Sequence, residues 1–260
     1  MNKRVSKAFG ILFLLLEIAA VPKAIQLMLE QPFAYLSPVN VITLSMTFGS
    51  LALCILMSFS SISENDSYPR HTFLFELMVF LCFLAPLTEF FTGYLDTAGM
   101  PKLNMLVNTV YYLLGINIGY VILLYELLII DANKKPWLKK VKLLASLVVL
   151  IDCIATLLNV RFGYFFTLTA EGAYQSTPTF WLAYLAPMIL IMTIALVAAR
   201  EMQRGRQQHA FLFFWIFAIV TSALQGLIWH DLTIQYTGYV LSVLVIHLNV
   251  QSELDTSCAK

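Results

Sequence analysis

Long apolar segments alternate with short polar stretches along almost the whole chain. Eight apolar segments of spanning length lie at about 8–29, 40–61, 72–95, 104–130, 141–160, 180–199, 210–229 and 234–252. Each is close to the roughly 20 apolar residues that a helix needs to cross the hydrocarbon core of a bilayer. The pattern therefore predicts an all-α polytopic membrane protein, a bundle of about eight transmembrane helices.

The basic residues are divided unequally between the two ends of these segments. If the N-terminus is cytoplasmic, 13 of the 16 Lys and Arg residues fall on one side: Lys3, Arg4, Lys7, Arg70, Lys134, Lys135, Lys139, Lys140, Lys142, Arg200, Arg204, Arg206 and Lys260. Lys102 and Arg161 fall on the other side, and Lys23 lies within the first segment. Because cytoplasmic loops are enriched in Lys and Arg, both ends of the chain are expected in the cytoplasm.

Composition limits what else the chain contains. The 260 residues are 60% hydrophobic and 12% charged, with a mean hydropathy of +0.79. Segments and short loops use up nearly the whole length, so a separate soluble domain of ordinary size has no room. We therefore expect the lipid bilayer as a partner and no nucleic acid. Cys54, Cys82 and Cys153 lie inside apolar segments, which is typical of small buried hydrophobic residues.

The segments group into three parts. Residues 1–39 hold an N-terminal helix, a possible signal anchor, and an outer loop. Residues 40–252 form a seven-helix membrane domain, and 253–260 form a cytoplasmic tail or the start of a signalling linker. A basic start before a short apolar run also suits a signal peptide, but Glu17 in the middle of the run argues against cleavage.

One outer connection, 161–179, is long enough to have a structure of its own. Aromatic and Thr residues flank Glu171 and Gly172, a pattern of two short strands around a turn. The pattern predicts a small extracellular β-hairpin at 162–177 with its turn at 170–173. Such a hairpin either caps a pocket or is an inert connector.

Polar side chains within the apolar segments are the candidate functional residues, because an unpaired polar group in a bilayer is costly. Those in the outer half are expected to line a ligand pocket: Glu89, Asn108, Tyr112, Asp152, Tyr184, Gln225 and Tyr239. Those in the inner half are expected to transmit the signal: Glu126, His247 and Asn249. Hydrogen bonding between helices is the alternative role for the Asn and Gln side chains.

The fourth segment has the clearest periodicity. Its small and polar residues recur at helical spacing: Asn104, Asn108, Tyr112, Gly115, Gly119 and Glu126. Residues spaced by three, four or their sums share one face of a helix. We therefore expect this face to turn toward the other helices.

Catalytic and metal-binding patterns do not occur. The four histidines are dispersed over different segments, and HExxH spacing, a P-loop and GxGxxG are all missing from the sequence. The sequence therefore predicts no enzyme activity, no metal site and no cofactor.

Several stretches carry a family resemblance. They are residues 75–78, the run GYLDTAGMPKLNMLVNTVYYLLG at 93–115, Tyr125 and FFTLTAEGAYQ at 165–175. Together they resemble the seven-helix N-terminal sensor region of bacterial diguanylate cyclases (GGDEF proteins) and histidine kinases, over about 40–252. The resemblance implies that the last helix runs on, through a stretch similar to HLNVQSELD at 247–255, into a coiled coil and a catalytic output domain.

This chain departs from that pattern in two ways. It has an extra first helix, and no GGDEF, kinase or phosphodiesterase sequence follows before Lys260. We therefore expect either a receptor module without its output or a sequence cut at the domain edge.

The resemblance and the polar residues together predict a sensor or receptor module in a bacterial cell membrane. An unknown small molecule, peptide or envelope condition would act on the outer half, and the last helix would carry the change to a cyclic-di-GMP or phosphotransfer output. The output enzymes of the resembled family imply a possible homodimer. A small-solute transporter is the alternative, although Pro86 and Pro187 in the third and sixth segments match a two-fold repeat poorly.

Overall fold

A computed structural model describes residues 3–30, 38–64, 69–130, 135–201, 208–227 and 235–258. The helices in these ranges are α1 (Lys3–Glu30), α2 (Pro38–Glu64), α3 (Pro69–Ala98), α4 (Pro101–Ile129), α5 (Pro136–Phe162), α6 (Leu185–Glu201), α7 (Gln208–Leu227) and α8 (Gln235–Cys258). Between α5 and α6 lie strands β1 (Phe166–Leu168) and β2 (Tyr174–Ser176), followed by a 3₁₀ helix (Phe180–Tyr184).

Six helical stretches in the described residues are long and apolar enough to cross a membrane: Arg4–Lys23, Thr43–Ser61, Arg70–Asp96, Pro101–Ile129, Pro136–Phe162 and Phe180–Glu201. Helices α7 and α8 also carry apolar stretches, which the described side chains cover over Phe211–Thr221 and Tyr236–Val250. The fold is therefore that of an all-α, multi-pass membrane protein, as predicted. The count of eight crossings and their orientation stay predictions.

The distribution of side chains on α5 is that of a helix that faces lipid. Leu147, Ile151 and Leu158 are exposed, whereas Asp152 and Asn159 are buried. A helix on the surface of a water-soluble protein shows the opposite arrangement. The polar residues of α5 therefore face the protein interior.

Proline and glycine set the helix boundaries around the hairpin. Pro101 and Pro136 stand in the first turn of α4 and α5, where the missing N–H costs no hydrogen bond. Gly163 ends α5 in the left-handed conformation, with φ 63°, and its N–H donates to the Asn159 carbonyl at 2.8 Å. The chain therefore reverses sharply into β1.

The two prolines that bear on the transporter alternative lie in different settings. Pro86 stands inside α3, where it removes a backbone hydrogen bond. Pro187 is the third residue of α6, in its first turn, and interrupts no hydrogen bond of that helix. Of these two prolines, Pro86 alone therefore interrupts the hydrogen bonding of its helix.

The chain forms two compact units. The first unit comprises Met1–Leu87 and Ala195–Lys260, and the second unit comprises Thr88–Ile194. In the first unit, α2 packs against α1 and α8, and α7 packs against α8. In the second unit, α4 packs against α5 and β1. The continuous helices α3 and α6 each contribute residues to both units.

Helix α1 packs into the first unit with two of its polar side chains inward. Ser6 and Glu17 are buried, whereas Leu15 is exposed. The Phe13 ring stacks on Phe80 of α3, with the ring centroids 4.5 Å apart. The extra first helix is therefore an integral part of this unit.

The predicted face of α4 is buried along most of its length. Asn104, Asn108 and Glu126 are among the buried polar residues of the chain. A Cβ atom added to Gly119 would lie 3.5 Å from Leu190 Cδ1, so the glycine permits close approach of α6. The three-to-four residue spacing read from the sequence is thus reflected in the packing.

Candidate functional site

The hairpin predicted at 162–177 is present. Its strands pair antiparallel, with Phe166 opposite Ser176 and Leu168 opposite Tyr174. In the turn, the Gly172 N–H donates to the Thr169 carbonyl at 3.0 Å, and Gly172 has φ 92°, which a side chain would strain. The turn therefore lies where the sequence places it, whereas its side of the membrane stays a prediction.

Asn104 joins this hairpin to two helices of the second unit. Both hydrogens of its fully buried amide are used: one donates to Asp96 Oδ1 at 2.7 Å and the other to the Gly172 carbonyl at 2.8 Å. Asp96 Oδ1 also accepts the Tyr174 N–H at 2.9 Å. One amide and one carboxylate therefore fix both the turn and the second strand.

Asn108, a predicted pocket residue, supports Asn104 from one helical turn away. Its amide donates to Asn104 Oδ1 at 2.7 Å and to the Asn104 carbonyl at 3.0 Å. These bonds hold the Asn104 amide in the orientation that presents its hydrogens to Asp96 and Gly172. The contacts of Asn108 in this structure are thus those of a positioning residue.

Tyr112, another predicted pocket residue, contacts the hairpin directly. Its hydroxyl lies 2.7 Å from the Tyr174 hydroxyl. Its ring stacks on Phe166 with the centroids 5.3 Å apart, and Phe166 stacks in turn on Tyr174 at 5.5 Å. Three aromatic rings therefore close the space between α4 and the two strands.

Asn159 fixes the start of the hairpin from the end of α5. Its Oδ1 accepts the Phe165 N–H at 2.6 Å, and its Nδ2 donates to the Phe166 carbonyl at 3.2 Å. The side chain thus acts as a strand partner for β1. We use the name hairpin network for the side chains that hold the hairpin: Asp96, Asn104, Asn108, Tyr112, Asn159 and Tyr174.

Electrostatics differ between the base and the tip of the hairpin. Burial raises the pKa of the Tyr174 hydroxyl, and the hydrogen bond with Tyr112 partly offsets this shift. At the tip, the Glu171 backbone N–H and the Thr169 hydroxyl hold the pKa of the exposed Glu171 carboxyl below its ordinary value. The tip therefore carries a negative charge at neutral pH, whereas the base is uncharged at Tyr174.

The other predicted pocket residues of the second unit lie in three different settings. Glu89 is buried on α3, and the Tyr111 hydroxyl donates to its Oε1 at 3.4 Å. Asp152 is buried on the inward face of α5. Tyr184 is 37% exposed, with its ring edge-on to Phe180 at 6.0 Å. Burial thus supports an interior position for the two acids and a surface position for Tyr184.

The remaining predicted pocket residues belong to the first unit. Tyr239 is buried on α8, and its ring lies 5.5 Å from both Phe214 and Tyr236. Gln225 stands in α7, but its side chain lies outside the described residues. A single pocket lined by all seven predicted residues therefore stays a prediction.

The residues predicted to transmit the signal also divide between the units. Glu126 is fully buried in the second unit. His247 stacks on Phe75 in the first unit, at 4.5 Å between ring centroids, and its Nε2 lies 3.4 Å from Ser60 Oγ. Asn249 is exposed and donates to the Val245 carbonyl of its own helix at 2.8 Å. His247 is the one of the two α8 residues that contacts other helices.

Metal ligands and similarity to known proteins also bear on the function. Among the residues that the structure describes, no group of three His, Cys, Asp or Glu side chains is placed to hold a metal ion. Comparisons with protein-family models, curated proteins and solved structures give no match.

Proposed function

We propose that this chain is a membrane sensor or receptor module of the bacterial cell membrane, in which the last helix carries the signal to a cytoplasmic output. One observation carries the proposal. Helix α8 runs unbroken from Gln235 to Cys258, whereas its sequence turns polar after Val250, with Gln251, Ser252, Glu253 and Asp255. Residues 251–258 add about 12 Å of helix beyond the apolar part. A rigid polar extension suits the attachment of a cyclic-di-GMP or phosphotransfer output.

The hairpin network supports a receiving end in the second unit. It ties an extramembrane hairpin to the ends of α3, α4 and α5 through Asp96, Asn104 and Asn159. A small molecule or peptide that binds the hairpin, or competes for the Tyr112 and Tyr174 hydroxyls, changes the restraint on these helices. A ligand shifts such an equilibrium only as far as it prefers one packing over the other.

Helix α3 offers a direct route for the change. It carries Glu89 and Asp96 in the second unit, and its first half, with Phe75, belongs to the first unit. In that unit, Phe75 stacks on His247 of α8. A rotation or shift of α3 therefore reaches the last helix through a packed aromatic contact.

The decisive experiment tests the rotational phase of α8. A dimeric reporter output is fused after Lys260, and one to four alanines are inserted at Ser252, within the polar part of the helix. Output is expected to vary with insert length and to recover after about one helical turn of 3.6 residues. Flexible Gly-Ser inserts of equal length, placed after Lys260, serve as controls and are expected to give no such period.

A response that is flat with insert length would contradict the proposal. Solute uptake into proteoliposomes, lost on Asp152→Asn, would then favour the transporter alternative. Uptake and phase dependence are independent measurements, so the two functions give distinguishable results.

Orientation is tested separately, because the proposal requires the hairpin outside. In a variant without native cysteines, a cysteine at the exposed position Gln175 is expected to react with a membrane-impermeant maleimide in intact cells. A cysteine at Asn133 is expected to react only after the cells are opened. The reverse result would place the hairpin in the cytoplasm.

A further inference from the structure

Four polar side chains of the first unit are buried together among α1, α2 and α3. They are Glu17, Ser58, Ser61 and Glu76, and we call them the acidic cluster. The Ser58 hydroxyl donates to Glu17 Oε1 at 3.2 Å. The Ser58 and Ser61 hydroxyls also face the Glu76 carboxyl, and Glu17 and Glu76 are close enough to interact electrostatically. Three helices thus bring two carboxyl groups and two hydroxyl groups to one place.

Most of the carboxyl oxygens of the cluster have no protein partner. Glu17 Oε2 and both oxygens of Glu76 are buried without a hydrogen bond in the described part of the chain. The nearby hydroxyls do not reach hydrogen-bonding geometry with Glu76. Both side chains are fully buried. A buried carboxylate that lacks partners strongly destabilises the fold. A positively charged ligand bound to these oxygens would remove that cost.

The neighbouring side chains do not supply that charge. The Cys54 thiol interacts electrostatically with Glu17 and Cys82, and the histidines described in this unit are His71, in the first turn of α3, and His247. The thiols are uncharged when protonated, and His247 is directed to Ser60 and Phe75. Neither glutamate forms an ion pair with any Lys or Arg among the described residues.

We propose that the acidic cluster is an intramembrane binding site for a small monovalent cation, either H⁺ or Na⁺. Carboxylate and hydroxyl oxygens are hard ligands, which suit both ions. The cost of removing an ion from water rises with the square of its charge, and this site is closed to water, so a monovalent ion fits better than Mg²⁺ or Ca²⁺. Ser58 donates its hydrogen to Glu17 and keeps oxygen lone pairs that can coordinate a cation beside Glu76.

The test measures thermal unfolding of the purified full chain in detergent. Na⁺ is varied against N-methylglucamine at constant ionic strength, and pH is varied separately. A ligand that binds only the folded state raises the Tm. The Tm is therefore expected to rise by several degrees with Na⁺ at fixed pH if Na⁺ is the ligand. If H⁺ is the ligand, the Tm rises as the pH falls, whether or not Na⁺ is present.

Matched variants assign the effect to this site. Glu76→Gln keeps the size of the side chain and removes the charge. It is therefore expected to abolish the dependence of the Tm on Na⁺ or pH that the wild type shows. Glu171→Gln changes an exposed acid on the hairpin tip and is expected to keep it. If Glu76→Gln does not fold, Glu17→Gln provides the same comparison. For the H⁺ case, the infrared carbonyl band of protonated carboxyl groups is expected to be weaker in Glu76→Gln than in the wild type.

Three outcomes would overturn the inference. The first is a wild-type Tm that responds to neither Na⁺ nor pH beyond the response of Glu76→Gln. The second is a Na⁺ or pH dependence that survives both glutamate substitutions. The third is stabilisation by Ca²⁺ or Mg²⁺ in place of a monovalent cation. None of these results depends on the hairpin or on the phase of α8, so the cation site and the proposed sensor function fail independently.

Discussion

The hairpin network and the acidic cluster are both built from polar side chains among apolar helices, but they are satisfied in opposite ways. In the hairpin network, both amide hydrogens of Asn104 and both of Asn108 have acceptors within 3.0 Å. In the acidic cluster, three of the four carboxyl oxygens have no hydrogen-bond partner in the part of the chain that the structure describes. A closed network, in which every polar group is hydrogen-bonded, stabilises the fold. A ligand gains most binding free energy at an open network, in which polar groups lack partners.

This difference changes how polar residues in a membrane helix are interpreted. Asn108 and Tyr112 satisfy the sequence criterion for a ligand pocket, yet their polar atoms bond other parts of the chain. Glu17 and Glu76 are less prominent in the sequence, but Glu17 Oε2 and both oxygens of Glu76 accept no hydrogen bond from the described residues. The relevant property is therefore unused hydrogen-bonding capacity, which only the packed structure reveals.

The largest effect is expected from a substitution at the centre of the hairpin network. Asn104→Leu removes the donors to Asp96 and Gly172 and the acceptor for Asn108, so we expect a loss of about 3 kcal/mol in the free energy of unfolding. Denaturant titration in detergent, followed by tryptophan fluorescence, measures it. Asn117→Leu is the control, because Asn117 donates to the Leu113 carbonyl of its own helix and otherwise makes a longer contact of 3.7 Å with Cys153 Sγ. Equal losses in both variants would show that the hairpin contacts contribute nothing.

A smaller effect is expected at the hairpin turn. Gly172→Ala places a side chain at φ 92° with its Cβ 3.2 Å from Pro101, so we expect destabilisation of about 1–2 kcal/mol. Gly93→Ala is the control, because its Cβ meets open space on a helix, and it is expected to be neutral or stabilising. Thermal unfolding compares the two. A neutral Gly172→Ala would mean that the turn does not rest on Pro101.

The tyrosine pair is expected to contribute less again. Tyr112→Phe and Tyr174→Phe each remove one hydroxyl of the 2.7 Å contact and keep the stacked rings. A double-mutant cycle of unfolding free energies is expected to give a coupling of about 1 kcal/mol. Additive losses would indicate that each hydroxyl bonds something other than its partner.

The smallest effect is expected in the open cluster. Glu76→Gln removes a carboxyl group that has no hydrogen-bond partner among the described residues, so at neutral pH without Na⁺ the free energy of unfolding is expected to fall by less than about 1 kcal/mol, and to rise where the carboxyl group is ionised. The same denaturant titration measures it beside Asn104→Leu. A loss as large as that of Asn104→Leu would show that Glu76 belongs to a closed network and would remove the contrast.

Local features of this fold could be predicted from the sequence. The buried face of α4 follows from residues spaced by three and four, and the hairpin follows from Gly172 between two short aromatic strands. Both depend on neighbours close in sequence. The helix-forming apolar segments are predictable for the same reason.

The tertiary partners could not be predicted in this way. Asn104 bonds Gly172, 68 positions away, and Asp96 bonds Tyr174, 78 positions away. Glu17 appears in the sequence only as an interruption of an apolar run, because its partner Ser58 is 41 positions away. Spacing places a residue on a face of its helix, but it does not identify what packs against that face.

The inward polar face of α1 has a consequence for where the chain can be shortened. A protein that begins at residue 40 retains all seven helices of the predicted sensor region but loses the helix that carries Glu17. Ser58 and Glu76 would then face lipid, and the rings of Phe73 and Phe80 would lose Phe9 and Phe13. Exposing a carboxyl group to hydrocarbon is far more costly than exposing a leucine. A boundary at residue 40, where the predicted seven-helix region begins, therefore cuts through a packed unit. Expression of residues 40–252 is expected to need α1.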